Sequence, residues 1–165
     1  MSKVSSFPSS PQIDILFFGT ATRHRLDLIA GLRGPDKVEP LHLFHANAAN
    51  FGVFGPELDL LLMDAKIILN LLTFDDDSEW KISRLAKLFT NRRFVISERG
   101  GMPEEEAYFS SGVVFVARSQ IPLACAYFLD RPQERQWIAD EGYRLFQMRK
   151  ESALLQQPLR KTMQR

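Results

Sequence analysis

Three short segments of this 165-residue chain combine residue types that could do chemistry. The first is FFGTATRHR, residues 17–25. Gly19 closes an apolar run, Thr20 and Thr22 form the turn, and Arg23, His24 and Arg25 fall in the first turn of the helix predicted next. Cations there oppose the helix dipole at a cost of about 0.3–1 kcal/mol each. A broken local rule at a strand-to-helix turn is a pointer to a site. Exposed N–H groups at a helix start, with two arginines, suit a phosphate or diphosphate. A solvated basic turn facing neighbouring acids is the competing reading, since no GxGxxG is present. The second segment is TFDDDSEWKISR, residues 73–84. Asp75, Asp76 and Asp77 at a helix start are favoured by the dipole, and Asp77 or Ser78 caps the helix. Gathering a divalent cation is the less favoured use of these acids. Glu79 and Arg84 follow on the helix, where a carboxylate accepts from sugar or ribose hydroxyls; a plain solvated face explains them nearly as well. The third is SERGGMPEEE, residues 97–106, where Glu98 ends a strand and Gly100-Gly101 either let a ligand approach the backbone or simply turn the chain.

The other reactive types are less suggestive. His42 and His45, three apart in a strand, point to opposite faces and form no ready metal pair. His45 stands nearer the productive edge. Residues 47–55, NAANFGVFG, are long enough for a binding loop. The single cysteine, Cys125, lies in an apolar run and reads as a buried small hydrophobe; it excludes an internal disulfide and a cysteine-based metal site. There is no Walker-type phosphate loop. With 21 basic and 20 acidic residues the chain has no global pull toward nucleic acid or anionic membrane. No apolar stretch approaches the ~20 residues that span a bilayer, and the polar start lacks a signal-peptide core, which together favour the cytoplasm.

The elements that would position these residues alternate. Residues 13–19, 39–46, 66–72, 93–98 and 112–117 read as strands, most of them continuously apolar. Helical patterns fill 22–34, 56–65 and 78–91, a short helix opens at Pro103, and two closing helices cover 119–130 and 132–150. The expected architecture is a single α/β domain over 13–150: a doubly wound, Rossmann-like, mostly parallel five-stranded sheet with helices on both faces. Residues 1–12 read as a flexible lead-in, and 151–165 as a frayed tail broken at Pro158. In such sheets ligands bind beyond the carboxyl ends of the strands, where strand order reverses.

The ordered set FFGTATRHR, then AKIILNLLTFDDDSEWKISRLAKLFTNRRFVISE, then YFSSGVVFVARSQIPLACAYFLDRPQERQWIADEGYRLF, resembles the C-terminal, donor-binding half of GT-B glycosyltransferases of the bacterial cell-surface and spore-maturation type. The resemblance covers roughly 13–150. It implies that Gly19, Thr20, Arg23 and Arg25 lie near the diphosphate of a nucleotide-sugar, that Glu79 and Arg84 lie beside the ribose or sugar, and that Glu98 and Gly100 border the donor pocket. It implies metal-independent transfer with the nucleotide-sugar as substrate and no further cofactor, and a second Rossmann-like domain or subunit for the acceptor. No general base is nominated. Lys87 stands where many relatives carry a second, ribose-binding glutamate, and Arg92 where a glycine commonly precedes the next strand. A non-catalytic protein-interaction module on the same fold is the alternative. A phosphoacceptor receiver domain shares the pattern but needs an aspartate at the end of a central strand, where Asn70 stands.

Overall fold

The computed structural model describes residues 11–20, 22–32, 41–45, 55–73, 82–100 and 102–162, with side chains except at 41–45, 82–84 and 150–162. Five strands, β1 (Ile13–Gly19), β2 (Leu41–His45), β3 (Ala65–Asn70), β4 (Val95–Glu98) and β5 (Val114–Val116), pair in the order β2-β1-β3-β4-β5. Every pairing is parallel. The helices are α1 (Arg23–Leu32), α2 (Gly55–Asp64), α3 (Ile82–Thr90), α4 (Pro103–Tyr108), α5 (Ile121–Leu129) and α6 (Pro132–Thr162), with a 3-10 turn at Arg118–Gln120 before α5. The expected α/β alternation with a parallel sheet therefore holds.

The apolar strands have a direct cause. Successive side chains of a strand point to opposite faces, and here both faces are covered. Ile15 and Phe17 of β1, Ile67 and Leu69 of β3 and Ile96 of β4 pack with Leu28, Ile29 and Leu32 of α1 and with Ile121 and Cys125 of α5. The intervening Leu16, Ile68 and Val95 pack with Leu58 and Leu62 of α2 and with Leu85, Leu88 and Phe89 of α3. Helix α6 serves both clusters, through Ala139 in the first and through Leu145 and Phe146 against the second.

Two closures hold α6 and α3 in place. Gly112, just before β5, meets Gly142 of α6 so closely that a Cβ on Gly112 would lie 2.4 Å from the Gly142 Cα. Helix α3 ends in paired bonds from the Arg93 N–H to the Leu88 carbonyl and from the Arg92 N–H to the Phe89 carbonyl, both 2.9 Å. That is the Schellman pattern, whose first residue past the cap adopts a left-handed conformation and is usually glycine. Arg92 occupies it, with φ of 48°. A glycine would suit this position for a backbone reason. The arginine that occupies it is held by an ion pair to Asp140 at 2.8 Å and by Tyr143, whose ring centroid lies 4.2 Å from the guanidinium.

One expectation fails at the C-terminal end. The tail read as frayed from residue 151, with Pro158 as a breaker, is instead part of α6, which runs on to Thr162. An interior proline costs a helix one hydrogen bond and crowds the carbonyl four residues back, and α6 nevertheless continues through Pro158.

Candidate functional site

The sheet order reverses between β1 and β3, because the chain goes from β1 to an outer neighbour and then crosses back to the other side. Ligands of open parallel sheets bind at such a point, beyond the strands' carboxyl ends. Four segments converge there: the turn after β1, the residues after β3, the end of β4 and the turn after β5.

The turn after β1 is built by local rules. Gly19 has φ of 147°, a value that side-chain-bearing residues rarely adopt, so the chain can leave the strand sharply. Thr22 precedes α1 as a weak N-cap, its Oγ1 accepting the Arg25 N–H at 3.4 Å. The same hydroxyl donates to the Thr73 carbonyl at 2.8 Å, tying the start of α1 to the segment after β3.

Arg25 makes the second tie, and its placement differs from a ligand-facing cation. It is only 6% exposed. Its Nε donates to the Leu72 carbonyl at 2.9 Å, Nη1 to the Thr20 carbonyl at 3.0 Å, and Nη2 to the Leu71 carbonyl at 2.8 Å and Thr73 Oγ1 at 3.0 Å. The planar fork matches the carbonyls that the ends of β1 and β3 leave without ladder partners. Arg23 is the opposite case: its side chain is 95% exposed, with Asp27 at 3.9 Å one turn along. Thr20 is exposed as well.

Glu98 is the third anchor. It ends β4 as a buried carboxylate. A buried carboxylate needs charged or hydrogen-bonding partners. His24 Nε2 lies 2.9 and 3.2 Å from its two oxygens, the Leu72 N–H donates to it at 3.0 Å, and Arg118 Nη1 is 3.6 Å away. The Leu72 N–H donates to the carboxylate, His24 Nε2 stands at hydrogen-bond distance from it, and Arg118 adds charge at ion-pair distance only. Arg118 also donates through Nη2 to the His24 carbonyl. Its Nη1 is buried and makes no hydrogen bond among the described residues. Beside this group Asn70 Nδ2 donates to Ser97 Oγ at 3.0 Å, an in-register pair across β3 and β4. Asn70 therefore completes a hydrogen-bonded strand end.

Gly19, Thr20, Arg23, Arg25 and Glu98 are thus brought to one edge. Gly100 stands slightly apart, in the turn after β4, where its N–H donates to Glu106 Oε1 at 2.7 Å and its carbonyl accepts the Met102 N–H at 2.7 Å. The turn-making reading of this glycine fits that geometry. Glu79, with Asp75 to Ser78, lies outside the described residues, as does the side chain of Arg84; the backbone of Arg84 is in α3. His45 pairs in register with Gly19, at the same edge. Lys87 faces α2, forming an ion pair with Asp59 at 2.5 Å.

Sequence reasoning named Glu98 but missed His24 and Arg118 as its partners, and Thr73 as the partner of Thr22 and Arg25. A signal was present for the first two. A glutamate ending a buried strand demands hydrogen-bonding or charged partners from adjacent loops at the same edge, and these two residues follow β1 and β5. Among the described residues no cluster of three histidine, cysteine or carboxylate groups could hold a metal ion. No helix among them is long and apolar enough to cross a membrane. The chain matches no protein-family model, and no curated protein is significantly similar to it.

Proposed function

We propose that this chain is a glycosyltransferase-like domain, Rossmann-like and doubly wound, that binds a nucleotide-diphosphate sugar in the cytoplasm. A second Rossmann-like domain or subunit would supply the acceptor side. The observation that carries this reading is the convergence of the segments after β1, β3, β4 and β5 on the strand-order reversal, tied together through Thr22, Arg25 and Glu98.

In this reading the roles divide by exposure. Arg23 and the N–H groups at the start of α1 meet the diphosphate, neutralising charge as it develops on the leaving group. Arg25 does not touch it; as a positioning residue it fixes the turn that presents Thr20 and Arg23. Glu98 acts through His24, holding the first turn of α1. Glu79 and Arg84 accept from and donate to ribose or sugar hydroxyls, and the Gly100 turn borders the pocket. Titration calorimetry of the full chain with UDP-, GDP- and TDP-sugars tests this. Heat with one nucleotide class, reduced in Arg23→Gln, is the expected result. A folded protein that gives no heat with any of them at millimolar concentration overturns the proposal.

A second reading, a non-catalytic protein-interaction module on a degenerate glycosyltransferase fold, is favoured by one observation. Lys87, at the position where relatives carry a ribose-binding glutamate, is paired with Asp59 of α2. That reading expects a stable protein complex and no nucleotide-sugar binding.

A further inference from the structure

A second concavity, of about 190 Å³, opens at the opposite, amino-terminal edge of the sheet, between the start of β3, the turn after α3 and the first turn of α6. Four cations line it: Lys66, Arg92, Arg93 and Arg135. Two already have carboxylates. Lys66 Nζ lies 2.5 Å from Asp14, and Arg92 Nη1 lies 2.8 Å from Asp140. The other two hydrogen-bond only to carbonyls. Arg93 donates through Nε to the Asn91 carbonyl at 2.7 Å and through Nη1 to the Met63 carbonyl at 3.2 Å. Arg135 donates through Nη1 to the carbonyls of Phe128 and Leu129, the latter at 2.6 Å. Among the described residues neither guanidinium has a carboxylate within ion-pairing distance, and Nη2 of both remains without a hydrogen bond.

Partly buried cations without a directly paired carboxylate are less well compensated than ion-paired ones. Burial alone lowers the pKa of Arg93, and burial lowers that of Arg135 against the opposing pull of Asp14 and Asp130. Guanidinium N–H groups donate strongly to the oxygens of a tetrahedral oxyanion; Nη2 of Arg93 and Nη2 of Arg135 are left over from the carbonyl bonds, with the ion-paired Lys66 at the rim. We propose that this concavity is a phosphate site, taking inorganic phosphate or the phosphate of a small phosphomonoester between Arg93 and Arg135. It lies on the other edge of the sheet from the proposed donor site and does not depend on that reading.

The test is calorimetric titration of the full chain at low ionic strength with inorganic phosphate and, separately, with glucose 6-phosphate. Binding of either that is weakened by a substitution in this lining supports the proposal, and their relative affinity tells the free ion from the monoester. Arg93→Gln is expected to weaken binding at least tenfold, which is about 1.4 kcal/mol, while Arg144→Gln, on an exposed stretch of α6 outside the lining, leaves it unchanged. Gln136→Glu, at an exposed lining position, gives the same loss by adding a negative charge, and so covers the case in which Arg93→Gln fails to fold. Absence of binding at roughly 10 mM, a range already weaker than 1 mM or −4.1 kcal/mol, overturns the proposal. Binding abolished by Arg23→Gln but unaffected by Gln136→Glu overturns it too.

Discussion

Replacing Arg25 by alanine separates a structural clip from a ligand contact. The side chain is nearly fully buried and satisfies the carbonyls of Leu71 and Leu72, both buried, and that of Thr20 at the rim. A buried acceptor left without its partner costs about 1–3 kcal/mol. Two such carbonyls, partly relieved by water entering the vacated space, with the rim carbonyl returned to solvent, give a loss of about 3 kcal/mol. For a chain of this size each kcal/mol lowers Tm by about 2–4 °C, so the expected fall is about 6–12 °C. With a urea slope of about 2 kcal/mol/M the midpoint drops by about 1.5 M. Arg25→Lys keeps the charge but replaces the fork by one ammonium, and should fall between the two. Thermal and urea unfolding followed by circular dichroism read both variants. A folded Arg25→Ala protein whose melting is unchanged, yet which loses nucleotide-sugar affinity, refutes the reasoning, because that is how a phosphate ligand behaves.

Three further outcomes follow from the packing. Gly112→Ala forces a Cβ against the backbone of Gly142, where no flexible side chain can give way; a destabilisation at the upper end of about 1–3 kcal/mol is expected in urea unfolding. Arg149 donates to Glu105 and holds its carboxyl below the ordinary value of 4.5, against the opposing effect of burial. That stability is present above the unfolded carboxyl's pKa and is lost as pH falls through the lower folded value, so Glu105→Gln should flatten the decline in Tm below about pH 4.5, modestly, because the pair is partly exposed. Cys125 is fully buried and its thiol is pushed up to about 12 by burial. Native protein should therefore resist iodoacetamide at pH 8, with alkylation appearing only as the chain unfolds; rapid native labelling contradicts that placement.

How much was legible in advance depended on the range of the interaction. The strands announced themselves because residues such as Ile15, Leu16 and Phe17 are apolar on both faces, which only a sheet covered on two sides requires. Pro132 and Pro103 marked helix starts because proline's fixed φ and missing N–H suit the first turn. Gly19 was identified as the end of β1, and its backbone conformation supplies the reason for glycine there.

What the sequence by itself determined, then, is the alternation of elements, the covered parallel sheet and the strand ends that gather at one edge, since these follow from periodicity and backbone chemistry within a few residues. Only the tertiary structure decided what the charged groups there do. Arg23 and Arg25 are two apart and alike in sequence, yet one is in solvent and the other is clamped on the carbonyls of Leu71 and Leu72, 46 and 47 residues away. Glu98 found His24 at a separation of 74. A side chain's charge is local information, but whether it meets water, a carbonyl or a counter-ion is fixed by which strand ends the fold sets side by side.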